Sequence, residues 1–147
     1  KGEMEEELIS FSKTIMKINI EVSYTTNPEN YYSAADIFLS LQKFNNYPSQ
    51  SLLEAMFSSC CVVATDVGET RKLINPDVNG MLISQEPAEL AQVLYDLLQD
   101  SEKTTQIGKE ARKSVLNKHT LPLFCDYFSR EVLKLNKENY KDHLCAE

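Results

Sequence analysis

The order of hydrophobic and polar residues predicts alternating helices and strands along the chain. Apolar residues recur at helical spacing over residues 3–16 and then alternate with polar ones over residues 17–24, which predicts a helix followed by a half-buried strand. A short helix over residues 28–35 follows. Two brief apolar runs, residues 36–41 and 61–65, are typical of buried parallel strands.

The segments around the second run predict the connections. Residues 49–59 suit a buried helix between the two strands. Gly68 opens a loop into a short helix over residues 69–74, and the turn Asn79-Gly80 precedes a short strand over residues 81–84.

The C-terminal part of the chain is predicted to be helical. Pro87 stands at the first turn of a helix whose apolar stripe runs through Leu90, Val93, Leu94, Leu97 and Leu98. Further helices occupy residues 101–136, with a break at Leu121-Pro122. After the break, one face of the helix is apolar and consists of Phe124, Tyr127, Phe128, Val132 and Leu135. The polar tail, residues 137–147, is expected to fray.

Strands that alternate with helices predict an α/β fold. We expect a Rossmann-like parallel sheet of about four strands flanked by helices, and one domain over residues 1–147. Ligands of such sheets bind beyond the carboxyl ends of the strands, which here points to the loops at residues 42–51 and 66–70.

Composition excludes several classes of protein. The 147 residues carry 22 acidic and 15 basic side chains, and the net charge of -7 argues against a nucleic-acid partner. The four cysteines form no C-x-x-C pair and the two histidines complete no ligand set, so we expect neither a metal site nor a disulfide framework. With no apolar stretch of roughly 20 residues, we expect no transmembrane segment and a cytoplasmic chain.

Residues 45–56 form the candidate binding segment, because they place a polar loop directly before a helix. Free backbone N–H groups and the helix dipole can hold a phosphate there, and Glu54, about one turn in, can accept hydrogen bonds from ribose hydroxyls. The alternative is a capping box in which Ser51 is the cap and Glu54 bonds back to its N–H. Neither a G-x-G-x-x-G nor a G-x-x-x-x-G-K-[ST] motif occurs.

Residues 31–128 resemble the C-terminal, nucleotide-sugar-binding domain of the GT-B glycosyltransferases of the glycosyl transferases group 1 family. Five segments appear in family order at near-family spacing: residues 34–39, 47–48, 52–56, 62–68 and 79–83. The resemblance implies an incomplete C-terminal half of a GT-B fold that binds the donor in sugar transfer with retention, for polysaccharide or other glycan synthesis. It implies no metal and no cofactor besides the nucleotide-sugar substrate.

The resemblance also assigns roles to residues. Two glutamates flank the family's loop, the first contacting the donor sugar and the second the ribose. Glu54 matches the second, whereas Asn45 or Asn46 stands in place of the first. No catalytic residue is assigned. Gly68 is implied to line the pocket, although a bare turn explains it as well. The implied donor-binding residues are Asn45, Asn46, Tyr47, Pro48, Ser49, Gln50, Ser51, Leu52 and Glu54.

The resemblance further implies parts that this sequence does not contain. These are two strand-helix units with an Arg and a Lys for the diphosphate, and an N-terminal acceptor domain that could hold the protein at the inner membrane. We therefore expect the chain to be inactive alone and the edge of the strand at residues 36–41 to be open. That edge would pair with residues 17–24 or with a second copy. The alternative function is a non-catalytic nucleotide-binding or subunit-docking module.

Overall fold

The computed structural model describes residues 7, 10, 11, 21 and 23–133. Their elements, in chain order, are α1 (Glu29–Ala34), β1 (Ile37–Ser40), α2 (Gln50–Phe57), β2 (Cys61–Thr65), a 3₁₀ turn (Thr70–Lys72), β3 (Met81–Ile83), α3 (Pro87–Gln99), α4 (Ser101–Lys118), α5 (Leu121–Tyr127) and a π turn (Phe128–Val132).

The three strands form one parallel sheet in the order β1-β2-β3. All five residues of β2 are buried, because helices cover both faces of this central strand. Val62 and Ala64 face α2 and the second half of α4, whereas Cys61 and Val63 face α3 and the first half of α4. The sheet therefore carries a core on each side, and its carboxyl edge is free to present loops.

Most of the predicted elements are present, with shorter bounds. The helix predicted over residues 69–74 is a 3₁₀ turn, and Asp36, Leu41 and Ser84 lie outside the strands. The described sheet has three strands where about four were predicted. The fourth, over residues 17–24, falls largely outside the described residues, and its described members Glu21, Ser23 and Tyr24 are not in a strand.

At both ends of the chain, predicted elements extend over residues outside the described ones. In the helix predicted over residues 3–16, the structure describes Glu7, Ser10 and Phe11, and all three are helical. The predicted tail at residues 137–147 lies outside the described residues, as do the last residues of the predicted C-terminal helices, residues 134–136.

The apolar face predicted on the last helix is turned outward. Phe124 and Tyr127 are 58% and 56% exposed, and Phe128 and Val132 are exposed as well, whereas Ser129 is buried. Within this segment the small side chain of Ser129 faces the domain and the aromatic side chains face solvent. This arrangement is the reverse of an ordinary surface helix, whose apolar stripe covers the core.

Candidate functional site

The loops that follow β1 and β2 meet at the carboxyl edge of the sheet. Thr65, the last residue of β2, is buried, and its hydroxyl donates to the carbonyl oxygen of Gln42 at 2.6 Å. Further along the same loop, the carbonyl oxygen of Lys43 accepts from Nε2 of Gln85 at 3.1 Å. The loop between β1 and α2 is thus tied to the ends of β2 and β3.

Asn45 and Gly68, from separate predicted site loops, are in direct contact. Oδ1 of Asn45 accepts from the N–H of Tyr47 and from the N–H of Glu69, each at 3.2 Å. Gly68 has a φ of +53°, and a Cβ there would lie 2.4 Å from the Asn45 side chain. Only glycine fits this close approach. Because its side-chain oxygen accepts from backbone N–H groups of both loops, Asn45 holds the two loops together.

The start of α2 is capped by Ser49. Its buried hydroxyl accepts from the N–H of Leu52 at 3.4 Å and lies 3.4 Å from Oγ of Ser51. The alternative prediction of a capping box of Ser51 and Glu54 is therefore wrong. Ser49 is the cap residue, and the carboxylate of Glu54 accepts from Nε2 of Gln50. The Leu52 side chain is only 2% exposed and belongs to the core, and its assignment as a donor-binding residue stays a prediction.

Glu54 is half-buried on the wall of a groove of about 480 Å³. Its Oε1 accepts from Nε2 of Gln50 at 2.9 Å. Burial raises the pKa of Tyr32 above its ordinary value, and the charge and hydrogen-bonding capacity of the Glu54 carboxylate raise it further. The groove lies between α1, α2 and the end of α4, and its lining includes Pro28, Tyr32, Gln50, Leu53, Glu54, Phe57 and His119.

Two cationic side chains that sequence reasoning missed lie at the same edge. Lys72 sits 5.6 Å from the ring centroid of Tyr47 and forms an ion pair with Glu69, while Arg71 pairs with Asp66. The sequence signal was the i,i+3 spacing of Glu69 and Lys72 directly after Gly68.

The remaining predicted site residues are accessible. Asn46, Tyr47, Pro48 and Gln50 are exposed, and Tyr47 and Pro48 are joined by a cis peptide bond. Asn46 borders a narrow cleft together with Ser40, Gln42, Ser49 and Thr70. These side chains surround the first turn of α2, where the helix dipole and the backbone N–H groups favour an anion.

Among residues 7, 10, 11, 21 and 23–133, no group of His, Cys, Asp and Glu side chains is arranged to hold a metal ion. In that same part of the chain, no helix is long and apolar enough to cross a membrane.

A three-stranded parallel sheet with helices on both faces and a helix start at its carboxyl edge defines a Rossmann-like fold. The model of the family described as "Glycosyl transferases group 1" matches residues 2–114, and the chain belongs to this family. A curated relative, the alpha-1,3/1,6-mannosyltransferase ALG2 of Rhizomucor pusillus, is 25% identical over 83 residues, which cover 56% of this chain and 18% of the relative.

Solved structures confirm the fold as that of a GT-B glycosyltransferase half. HepE of Anabaena, solved in complex with UDP-glucose, matches 91% of this chain with a TM-score of 0.79 at 20% identity. The C-terminal domain of LpcC, a glycosyl transferase group 1 family protein from Francisella tularensis, matches 80% of this chain with a TM-score of 0.67 at 26% identity. This chain covers 38% of the HepE chain and 63% of the LpcC domain.

Proposed function

We propose that this chain is the donor-binding part of a retaining glycosyltransferase that uses a nucleoside-diphosphate sugar in polysaccharide or other glycan synthesis. The observation that carries the proposal is the position of Glu54, whose carboxylate lies on the wall of a groove of about 480 Å³ one turn beyond the start of α2. A carboxylate there can accept both hydroxyls of a ribose. HepE, which shares the fold, was solved with UDP-glucose and with UDP.

The start of α2 supplies the site for the diphosphate. The first bond within the helix is made by the N–H of Leu53 to the carbonyl oxygen of Ser49 at 3.1 Å, and Ser49 caps Leu52. The amides of Gln50 and Ser51 precede these bonds, so they face the entrance of the helix. They would stabilise the negative charge that develops on the departing diphosphate during sugar transfer.

A non-catalytic nucleotide-binding module is the second candidate. It is favoured by the neutral amide, of Asn45 or of Asn46, that matches the position of the family's first glutamate. The side-chain oxygen of Asn45 also accepts from two backbone N–H groups, so at Asn45 the NH2 group is what remains for the sugar. This candidate binds the nucleotide and never transfers the sugar, so an assay of sugar transfer by a longer protein containing this chain separates the two.

An acceptor-binding domain is the partner that we propose for this chain. The outward apolar face of Leu121, Phe124, Tyr127 and Phe128 would pack against it. The matched proteins are long enough to contain such a domain, because this chain spans only 38% of HepE. The acceptor domain would complete a cytoplasmic enzyme and could hold it at the inner membrane, and we expect the present chain to be inactive alone.

A homodimer through the open edge of β1 is the competing assembly. In the described part of the chain, β1 pairs only with β2, and Leu39 is partly exposed on β1. A dimer in sedimentation velocity that the edge variant Leu39→Lys abolishes would support this assembly. A monomer at high concentration would contradict it.

Calorimetric titration with UDP and with GDP tests the donor-binding role. We expect saturable binding that Glu54→Ala weakens by roughly 10- to 100-fold, because hydrogen bonds to a charged group contribute about 1.5–3 kcal/mol. Glu102→Ala, which removes an exposed carboxylate from α4, is the matched control and should leave the affinity unchanged. Binding that survives Glu54→Ala undiminished would contradict the proposal.

A further inference from the structure

Tyr32 is held in place from two other elements. Its ring meets that of Phe38 on β1 edge-on, with 5.5 Å between the ring centroids and 85° between the ring planes. Its carbonyl oxygen accepts a hydrogen bond from Sγ of Cys60, immediately before β2, at 2.9 Å. The half-buried side chain is therefore anchored at both the ring and the backbone, and its hydroxyl has a defined position.

Tyr32 and Glu54 belong to helices that pack against each other, α1 and α2. Both side chains line the groove, together with Gln50, whose Nε2 donates to Oε1 of Glu54 at 2.9 Å. The negative charge of Glu54 and its role as hydrogen-bond acceptor contribute, after burial, to the raised pKa of Tyr32. Gln50 belongs to the same helix as Glu54, whereas Tyr32 lines the groove from α1.

We propose that Tyr32 is a positioning residue, whose hydroxyl donates to Glu54 and fixes the carboxylate in the orientation that receives the 2′- and 3′-hydroxyls of a ribose. The inference rests on the proposed function and deepens it, because it predicts selection of ribonucleotides over 2′-deoxyribonucleotides. An ionised carboxylate can accept about four hydrogen bonds. With Gln50 and Tyr32 using two, two remain for the vicinal diol.

Orientation matters here because a glutamate side chain has several rotatable bonds. A carboxylate that must be ordered when the ligand arrives loses conformational freedom at that moment, and this loss reduces affinity. The anchored phenol of Tyr32 removes part of that loss in advance. Its removal should therefore weaken the interaction with the ribose hydroxyls and leave contacts to the base and diphosphate intact.

The test compares Tyr32→Phe with Tyr31→Phe by calorimetric titration against UDP and 2′-deoxy-UDP. If GDP binds better than UDP, the ligands are GDP and 2′-deoxy-GDP. Tyr31 is the matched control because it is exposed and its hydroxyl pairs instead with Oγ of Ser23 at 3.3 Å. We expect Tyr32→Phe to weaken UDP binding roughly three- to tenfold. The affinity for 2′-deoxy-UDP should change less, so that the preference for UDP falls. Tyr31→Phe should alter neither affinity.

A second measurement needs no nucleotide. Titration of ¹³C-labelled tyrosine by NMR follows each phenol, and Glu54→Gln should lower the pKa of Tyr32, because a nearby negative charge favours the protonated phenol.

The outcomes separate this inference from the proposed function. If UDP binding requires Glu54 but Tyr32→Phe keeps the full preference for UDP over 2′-deoxy-UDP, the inference is overturned and the proposed function stands. An unchanged titration of Tyr32 in Glu54→Gln also overturns the inference alone. If the wild-type chain binds neither UDP nor GDP, the proposed function and the ribose role of Tyr32 fall together.

Discussion

Gly108 lies in the middle of α4, where it packs against the turn that leads into β2. A Cβ at this position would meet the carbonyl oxygen of Ser59 at 2.1 Å and the carbonyl carbon of Ser59 at 3.0 Å. The opposing atoms belong to the backbone, and Ser59 is itself held at a φ of +67°. Since neither partner is a flexible side chain, Gly108→Ala forces the helix to move.

Two opposing terms set the size of the effect. Alanine is about 1 kcal/mol more favourable than glycine inside a helix. The opposing term is steric, because α4 would have to move away from the Ser59 turn by roughly 1 Å. A gap of that size removes a quarter to a half of the dispersion attraction between the helix and its neighbours. That interface includes the buried Ala111 and Val115. Overpacking costs about 1–3 kcal/mol. With the upper end of that range and the gain of about 1 kcal/mol in helix propensity, we expect the free energy of unfolding to fall by about 2 kcal/mol.

Urea denaturation followed by circular dichroism measures this change, with a fall in the thermal midpoint of about 4–8 °C as a second readout. The control is Thr105→Ala, an exposed position on the same helix where only the gain in helix propensity applies, so its stability should rise slightly. If Gly108→Ala were as stable as the wild type or more stable, propensity would outweigh packing and the steric argument would be refuted.

Two further predictions concern buried polar groups. Asn79→Ala should lower the free energy of unfolding by about 2 kcal/mol, because the buried amide bonds the N–H of Asn75, the carbonyl oxygen of Leu73 and Oγ of Ser114. The control Asn117→Ala, at an exposed position, should change it little. Burial raises the pKa of Cys61 to about 11, which leaves about 0.1% thiolate at pH 8. Iodoacetamide should therefore leave it unlabelled in peptide mapping until urea unfolds the chain, and labelling under native conditions would contradict this.

Local patterns in the sequence were sufficient for much of the fold. The apolar runs that became β1 and β2, the helix that begins after Ser49 and the position of Glu54 within it all depend on residues close together in the chain. The family motifs share this property, because each is a short segment at a regular spacing. Predictions of this kind were confirmed for the fold class and for membership of the family.

Contacts between distant segments were decided only by the tertiary structure. The bond from the Glu69 N–H to Asn45 spans 24 residues, and the cation–π contact of Lys72 with Tyr47 likewise joins two loops. Neither leaves a periodic signal, because each depends on which strands lie side by side.

The outward face of the last helix has the same origin. Its apolar spacing indicates an amphipathic helix, but spacing alone does not determine which side meets the core. The packing of the segment buries Ser129 and exposes Phe124. Sequence therefore determined the elements and the candidate ribose ligand Glu54, because periodicity and motifs are local. The tertiary structure decided how the loops are held together and which surface is left for a partner, because both depend on the relative placement of whole elements.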